Sequence, residues 1–245
     1  MGATVCEAIE AAEGLDLAAA VDPVGVGQTV AAVGIAADLI ALAEAEVEVA
    51  VDFTVPGAAV ANATWCAEHG IHSVIGTTGV GEDDLARLRR AFPEAGRLGC
   101  IVAPNFAIGA VLMMRFAELA APWFETAEII ELHHDGKVDA PSGTAMQTAS
   151  RMAAASGEWG EDPTRVEVVA GARGGRGPAG IRIHSVRLRG LVAHQEVLLG
   201  SAGQSLTIRH DSYDRQSFMP GVLVAVRGVT TRPGVTVGLE DLLAT

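Results

Sequence analysis

Between Leu15 and Phe106, short apolar runs alternate with helical ones, and each apolar run stops at a polar or glycine-bearing turn. Leu15 to Val21 reads as a strand ending at Asp22-Pro23. Glu46 to Phe53 runs into Asp52-Phe53-Thr54, Ile71 to Ile75 into Gly76-Thr77-Thr78-Gly79, and Leu98 to Val102 into Ala103-Pro104-Asn105-Phe106. The helices between them carry their own end signals. Pro56 to His69 has Thr54 near its cap, Pro56 in its first turn and Gly70 past its end. Glu82 to Ala95 is a second helix. Ala3 to Glu13 is an earlier one, with Val5, Ile9 and Ala12 on one face and Gly14 as its stop. Gly25 to Gly34 is Gly-rich and reads as a loop. Strands alternating with helices at this spacing predict βαβ units and a parallel sheet. Such sheets bind ligands at the carboxyl ends of their strands, where the polar turns lie.

The pattern changes after Phe106. Ala107 to Phe124 is a long apolar helix interrupted late by Pro122. The strand Glu128 to Leu132 runs into His133-His134, then Lys137, then the break Asp139-Ala140-Pro141, and a helix opens at Ser142 and runs to Ser156. A polar linker follows to Thr164. Val166 to Val169 reads as a strand, and Gly171 to Gly180 as a mobile loop whose Arg173 and Arg176 face solvent. Ile181 to Leu188, His194 to Leu199 and Ser205 to His210 read as strands, with Gly200-Ser201-Ala202-Gly203 as a turn. Asp211 to Arg227 becomes an apolar helix, and Gly234 to Leu239 is a short strand. Two domains are expected: residues 1–106 with 216–245, and residues 107–215.

The chemistry concentrates between Glu128 and Ala145. A helix start offers free N–H groups and the positive end of a dipole, both suited to a carboxylate. Ser142 is placed to cap it, and Thr144 adds a hydroxyl. Lys137 is the only lysine in the chain. Arginine stays protonated, whereas lysine can give up its proton, so a lone lysine beside two histidines reads as an acid/base group. Each signal has a plainer reading: a single histidine can be merely solvated, and a lone lysine can reflect codon bias. The same holds at Asp22, which is either a solvated acid before a proline or, as in dinucleotide-binding sheets, a ligand to adenosine ribose hydroxyls. Gly76-Thr77-Thr78-Gly79 is either an ordinary βα turn or a close approach to a phosphate or sugar.

A net charge of −13 argues against nucleic-acid or anionic-membrane partners. An anionic substrate then needs a local reversal of sign, for which Lys137, His133, His134 and Arg215 are candidates. No apolar run reaches transmembrane length, and no signal-peptide pattern opens the chain. Cys6, Cys66 and Cys100 lack metal-ligand spacing and sit in apolar segments, so they read as small buried hydrophobes of a reducing, cytoplasmic compartment. No metal is expected.

The segment Glu131-Leu132-His133-His134-Asp135-Gly136-Lys137-Val138-Asp139-Ala140-Pro141-Ser142-Gly143-Thr144-Ala145 resembles the signature of the dihydrodipicolinate reductase family in length and order. Gly76-Thr77-Thr78-Gly79 and Ala103-Pro104-Asn105-Phe106 are similar to that family's nicotinamide-side loops, and Arg209 to Phe218 to its hinge. The resemblance covers nearly the whole chain. It implies an α/β fold: a Rossmann-like parallel-sheet cofactor domain plus an α+β substrate and oligomerisation domain that builds a homotetramer. It implies reduction of 4-hydroxy-tetrahydrodipicolinate by NADH or NADPH, with loss of water, in the diaminopimelate route to lysine. His133 would be the general acid/base and Lys137 the proton donor. His134, Gly143 and Thr144, with Ser142 nearby, would hold the carboxylates of a cyclic dicarboxylate. Gly76, Thr77 and Thr78 would touch the nicotinamide half, Ala103, Pro104, Asn105 and Phe106 would line the same cleft, and Asp22 would sit by the ribose. Asp22-Pro23-Val24, with no neighbouring arginine, leans toward NADH or dual use.

One departure stands out. The family opens with a strand and a Gly-x-x-Gly-x-x-Gly loop, whereas this chain opens at Met1-Gly2-Ala3-Thr4, where Gly2 matches the last of those glycines. The resemblance therefore implies a chain that binds NADH poorly, with binding and solubility restored by about a dozen upstream residues. Two other readings stay open. One is a different nicotinamide-dependent oxidoreductase of amino or imino acids; the other is a non-catalytic dicarboxylate-binding protein.

Overall fold

The computed structural model describes residues 1–243. In chain order the first elements are α1 (Gly2–Glu10), β1 (Ala20–Val21), β2 (Thr29–Val30), β3 (Val33–Ala36), α2 (Ile40–Glu44), β4 (Val49–Asp52), α3 (Pro56–Glu68), β5 (His72–Ile75), α4 (Glu82–Ala91) and β6 (Gly99–Val102). Then come α5 (Ile108–Ala120), β7 (Thr126–His133), α6 (Gly143–Ala155), β8 (Gly175–Arg176), β9 (Arg182–Arg187), β10 (Ala193–Ser201) and β11 (Gln204–Ser212). The last are α7 (Met219–Val229), β12 (Gly234–Val237) and α8 (Glu240–Leu243). These form two compact units: residues 1–108 with the segment from Arg215 onward, and Gly109–Asp214.

In the first unit, β12, β6, β5 and β4 form a parallel sheet in that order. The helices that join successive strands force the parallel direction. Ile75, Cys100 and Val102 of the strands pack with Ala59, Val60 and Ala63 of α3 and Leu85 and Leu88 of α4. Pro93 accounts for α4 stopping at Ala91, short of the expected Ala95, because the residue before a proline disfavours helical geometry. A second sheet has the order β1-β3-β2, with β1 parallel and β2 antiparallel to β3. The expected loop at Gly25–Gly34 thus contains most of a hairpin. Val30, Val33 and Ile35 supply its apolar residues, and Ala31 and Ala32 turn it with φ of 44° and 64°. The expected buried strand Leu15–Val21 is ordered as β only at Ala20–Val21, which is half-buried. Among the described residues β1 pairs only with β3, and β4 only with β5, so each has a ladder on one side. Val21 and Ala50 nevertheless pack on a common cluster with Leu42, Cys66 and Ile71. Cys66 and Cys100 are buried free thiols, pushed up by burial to about 11 and about 12, while Cys6 is half-buried.

The second unit is a mixed sheet in the order β11-β10-β7-β9-β8, antiparallel except for β7 beside β9. Period-two alternation gives it two different faces. Ile129, Glu131, Ile183, Val197 and Leu199 are buried on one, where Gln195 donates to Thr148 of α6 at 2.8 Å. The other carries ion pairs: Glu128 with Arg173 and His184, and Arg209 with Glu196. Val166–Val169 is not a strand. It has no ladder neighbour among the described residues, and Val168 is 95% exposed. Arg173 does not face solvent as expected. It reaches Glu128 at 2.5 Å and Asp162 at 3.5 Å, which ties the Gly-rich segment to the sheet, and β8 forms within that segment. The turn between β10 and β11 shortens to Ala202-Gly203, with Gly203 at φ 79°. Among the described residues, no helix is long and apolar enough to cross a membrane.

Candidate active site

In the second unit the parallel pairing of β7 and β9 sets His133 beside Arg187 at their carboxyl ends. Two residues earlier, Glu131 points into the buried face and is fully shielded from solvent. A buried carboxylate is tolerable only when its lone pairs are matched, and here several donors converge on it. Arg187 clasps it with Nη1 to Oε2 at 2.8 Å and Nη2 to Oε1 at 2.9 Å. His133 Nδ1 lies 2.5 Å from Oε2, and the Ser142 N–H donates to Oε1 at 3.1 Å. Burial alone would raise the Glu131 pKa, but the hydrogen bonds from Arg187, Ser185 and His133 outweigh it and hold the carboxyl below its ordinary value. For His133, burial lowers the pKa and the Glu131 carboxylate only partly offsets this, which favours the neutral imidazole. Among the described residues the His133 ring makes no other hydrogen bond, which leaves Nε2 available.

Ser142 caps α6, its Oγ accepting the Ala145 N–H at 3.2 Å. It is 2% exposed. Its N–H donates to Glu131 and its oxygen accepts from Ala145, so Ser142 builds the helix start. Gly143, the next residue, is exposed, and a Cβ built on it would meet nothing within 4 Å. Among the described residues the Gly143 N–H has no acceptor. Thr144 is half-buried beside it. Lys137 lies in the turn before the helix, and its Nζ bridges both Asp139 oxygens at 2.7 and 2.9 Å. That pairing holds Asp139 below its ordinary range. His134 is exposed in the same turn. Arg187 also donates to the Asp139 carbonyl at 2.6 Å, linking this turn to the buried carboxylate. His133, Ser142 and Arg187 thus meet at one residue, Glu131.

The expected cofactor residues fall in the first unit. Asp52, at the end of β4, organises two of its turns: Oδ1 accepts the N–H and hydroxyl of Thr54 at 2.8 and 2.7 Å and the Thr77 hydroxyl at 3.4 Å. Its Oδ2 accepts from Asn62 at 2.8 Å. Thr77 is accordingly buried, while Thr78 and Gly79 are exposed. A Cβ on Gly76 would collide with the Phe53 ring. The protein itself thus requires glycine there, quite apart from any approaching ligand. Phe53 in turn stands 5.5 Å from Phe106, which is buried. Ala103 is buried, Pro104 exposed, and Asn105 accepts the Ala107 N–H at 2.9 Å, which shapes the turn. Asp22 is exposed at the end of β1 and accepts the Val24 N–H with one oxygen. Gly2 opens α1, which has no side-chain cap, and the space above Gly2 is clear to 4 Å. Arg215 is exposed at the start of the returning segment of this unit.

Sequence reasoning did not single out Glu131 or Arg187, and named Asp52 only as part of a polar strand end. Glu131 carried a usable signal, since an acid on the apolar face of a buried strand breaks its binary pattern. Arg187 carried none, because it reaches the site only through the β7–β9 register.

Comparison with known proteins places the chain in a family. Residues 1–106 match the family model described as dihydrodipicolinate reductase, N-terminus, and residues 109–243 the corresponding C-terminus. The 4-hydroxy-tetrahydrodipicolinate reductase of Cutibacterium acnes is 51% identical over 99% of this chain and 94% of that protein. The enzyme of the same name from Streptomyces avermitilis is 47% identical, over 99% and 93%. Among solved structures, the dipicolinate-bound dihydrodipicolinate reductase from Paenisporosarcina sp. TG-14 superposes with a TM-score of 0.87 at 41% identity, covering 98% of this chain and 94% of that one. Both halves of the chain, its signature segment and its fold therefore lead to one assignment: the chain belongs to the dihydrodipicolinate reductase family.

Proposed function

We propose that this chain reduces 4-hydroxy-tetrahydrodipicolinate to tetrahydrodipicolinate, with loss of water, at the expense of NADH or NADPH in lysine biosynthesis through diaminopimelate. The observation that carries this reading is the buried Glu131, which joins an available imidazole to a helix start whose exposed glycine is ready for a carboxylate. The dicarboxylate-bound relative supports the substrate class. The residues present fit a dinucleotide: an uncapped helix start at Gly2 for a phosphate, the exposed Asp22 carboxylate for a ribose, and Gly76, Thr77, Thr78 and Ala103–Phe106 for the nicotinamide end. The cofactor supplies the hydride. The protein's own part is to bind, orient and move protons. The Gly143 N–H and Thr144 hold one substrate carboxylate, and His134 lies within the same segment. Lys137, paired with Asp139, carries the proton to be delivered, and His133 acts through Nε2 as acid/base.

The direct test is to follow oxidation of NADH and of NADPH with substrate generated in situ, against other cyclic and open-chain imino dicarboxylates as controls. Turnover only with an open-chain amino or imino acid would assign a different reductase. At the carboxylate site, Thr144→Val is expected to weaken binding of 2,6-pyridinedicarboxylate by about 10-fold, the worth of one charge-assisted hydrogen bond. NADH binding should stay unchanged in the same calorimetric titrations. An unaltered inhibitor affinity would remove Thr144 from the site.

We further propose a homotetramer assembled through β9, β10 and β11, whose outer face carries the ion pairs of His184 with Glu128 and of Arg209 with Glu196. Light scattering at micromolar concentration should give about four times the 25.1 kDa chain mass; a monomer would contradict it. The buried reduced cysteines suit the cytoplasm.

A further inference from the structure

We propose that Glu131, clamped by Arg187, is the positioning residue of the reaction: it fixes His133 in the Nδ1–H tautomer with Nε2 available, and it locks that imidazole to the α6 start that receives the substrate carboxylate. The inference rests on the functional reading above for its reaction, but on the site's own geometry for its substance. One carboxylate holds both halves of the chemistry. Its Oε2 faces His133 Nδ1 at 2.5 Å, and its Oε1 takes the Ser142 N–H at 3.1 Å. A carboxylate only accepts, so the nitrogen facing it must carry the proton. Nε2 is then a lone pair in the neutral ring and a donor in the protonated ring, the two states an acid/base group needs.

Arg187 is the reason the carboxylate can act at full burial. Its fork occupies both oxygens, and its Nη2 also reaches the Asp139 carbonyl at 2.6 Å. The turn bearing Lys137, the strand bearing His133 and the helix bearing Gly143 are thus referred to one fixed charge pair. A pair that served only to stabilise the fold would be matched by an apolar substitute at little cost; it would have no reason to end on the imidazole and the helix start.

The charged groups bearing on His133 are Glu131 on its own strand, Lys137 in the following turn and Arg187 on β9. Glu131 raises the His133 pKa, and both cations lower it. In Glu131→Gln the raising group is lost and the cations remain, so the His133 pKa falls further. A pH limb that depends on protonated His133 must then move to more acid pH. The amide would also present an N–H to Nδ1, which inverts the tautomer to Nε2–H.

The test uses the full chain labelled with ¹⁵N-histidine, with His133 assigned by difference against His133→Asn. In the wild type the expected signal at neutral pH is the Nδ1–H tautomer. In Glu131→Gln it is Nε2–H, with kcat reduced about 10²-fold or more, the acid limb displaced, and NADH affinity unchanged. An Nε2–H tautomer in the wild type overturns the proposal, and so does wild-type turnover with an unmoved pH profile in Glu131→Gln. If Glu131→Gln does not fold, the wild-type tautomer alone decides. A tautomer that inverts in a chain without reductase activity would sink the functional reading and leave the positioning role standing.

Discussion

Lys137→Ala and His133→Ala are each expected to reduce kcat about 10²–10⁴-fold, the range for removing a positioned proton-transfer group. NADH affinity should be nearly unchanged, because the residues assigned to the cofactor lie in the other compact unit. Alanine at 137 also frees Asp139, whose two oxygens now hold Nζ at 2.7 and 2.9 Å, so part of any rise in KM would come from an uncompensated acid near the substrate. Lys137→Arg separates the two effects. Arginine keeps the charge and can pair with Asp139, but it does not give up its proton. It should retain substrate affinity and lose kcat to nearly the extent that alanine does. Single-turnover kinetics measures this, since it isolates the chemical step from product release. Wild-type-like single-turnover rates in Lys137→Arg would show that Lys137 contributes charge and not a proton.

The helical and strand skeleton was legible where the chain obeys local rules. Pro56 and Gly70 bracket α3 within one residue or so of its ends, and Ser142 is the cap it promised to be. The miscalled segments are those whose state depends on a distant partner. Val166–Val169 has the composition of a strand, but among the described residues no neighbouring strand offers it a ladder, so composition misleads there. The β2–β3 hairpin has the apolar alternation of a strand pair, but its turn is made by two alanines in left-handed geometry, where glycine or asparagine is the usual signal. Arg173 sits among glycines and looks solvated until the fold brings Glu128 to it across 45 positions of sequence. The same holds at the site. His133, Lys137 and Gly143 share one short segment and could be read together. The carboxylate that organises them was visible only as an acid out of place in a strand, and its arginine is 56 residues away. The glycines sort in the same way. Gly143 opens onto clear space, so its small size matters only to something outside the protein, whereas Gly76 is held small by Phe53.

The second large effect is expected at Gly221, in the first turns of α7. In a helix, Gly→Ala ordinarily stabilises by about 1 kcal/mol. Here the sign should reverse. A Cβ at 221 would sit well inside contact distance of the Phe106 carbonyl oxygen and 2.9 Å from its carbonyl carbon, with Leu239 Cδ1 at 3.1 Å. Two of these three are backbone atoms, so no rotamer change relieves the clash; α7 or the Ala103–Phe106 turn must shift. Phe106 resists, because its side chain is buried and its ring is packed 5.5 Å from Phe53. Overpacking of this kind costs about 1–3 kcal/mol and occasionally more. After the helix gain is subtracted, Gly221→Ala should still be less stable, by up to about 2 kcal/mol. For a domain of this size that lowers Tm by up to roughly 8 °C, read by circular dichroism melting. A displaced Ala103–Phe106 turn also moves residues assigned to the nicotinamide end, so NADH affinity should fall while binding of 2,6-pyridinedicarboxylate to the other unit holds. Gly221→Ser, which adds the same Cβ and a hydroxyl, should be at least as damaging. A melting temperature above wild type for Gly221→Ala would mean that α7 slides freely over the Phe106 turn. The close packing of helix on turn would then play no part in setting the cofactor residues.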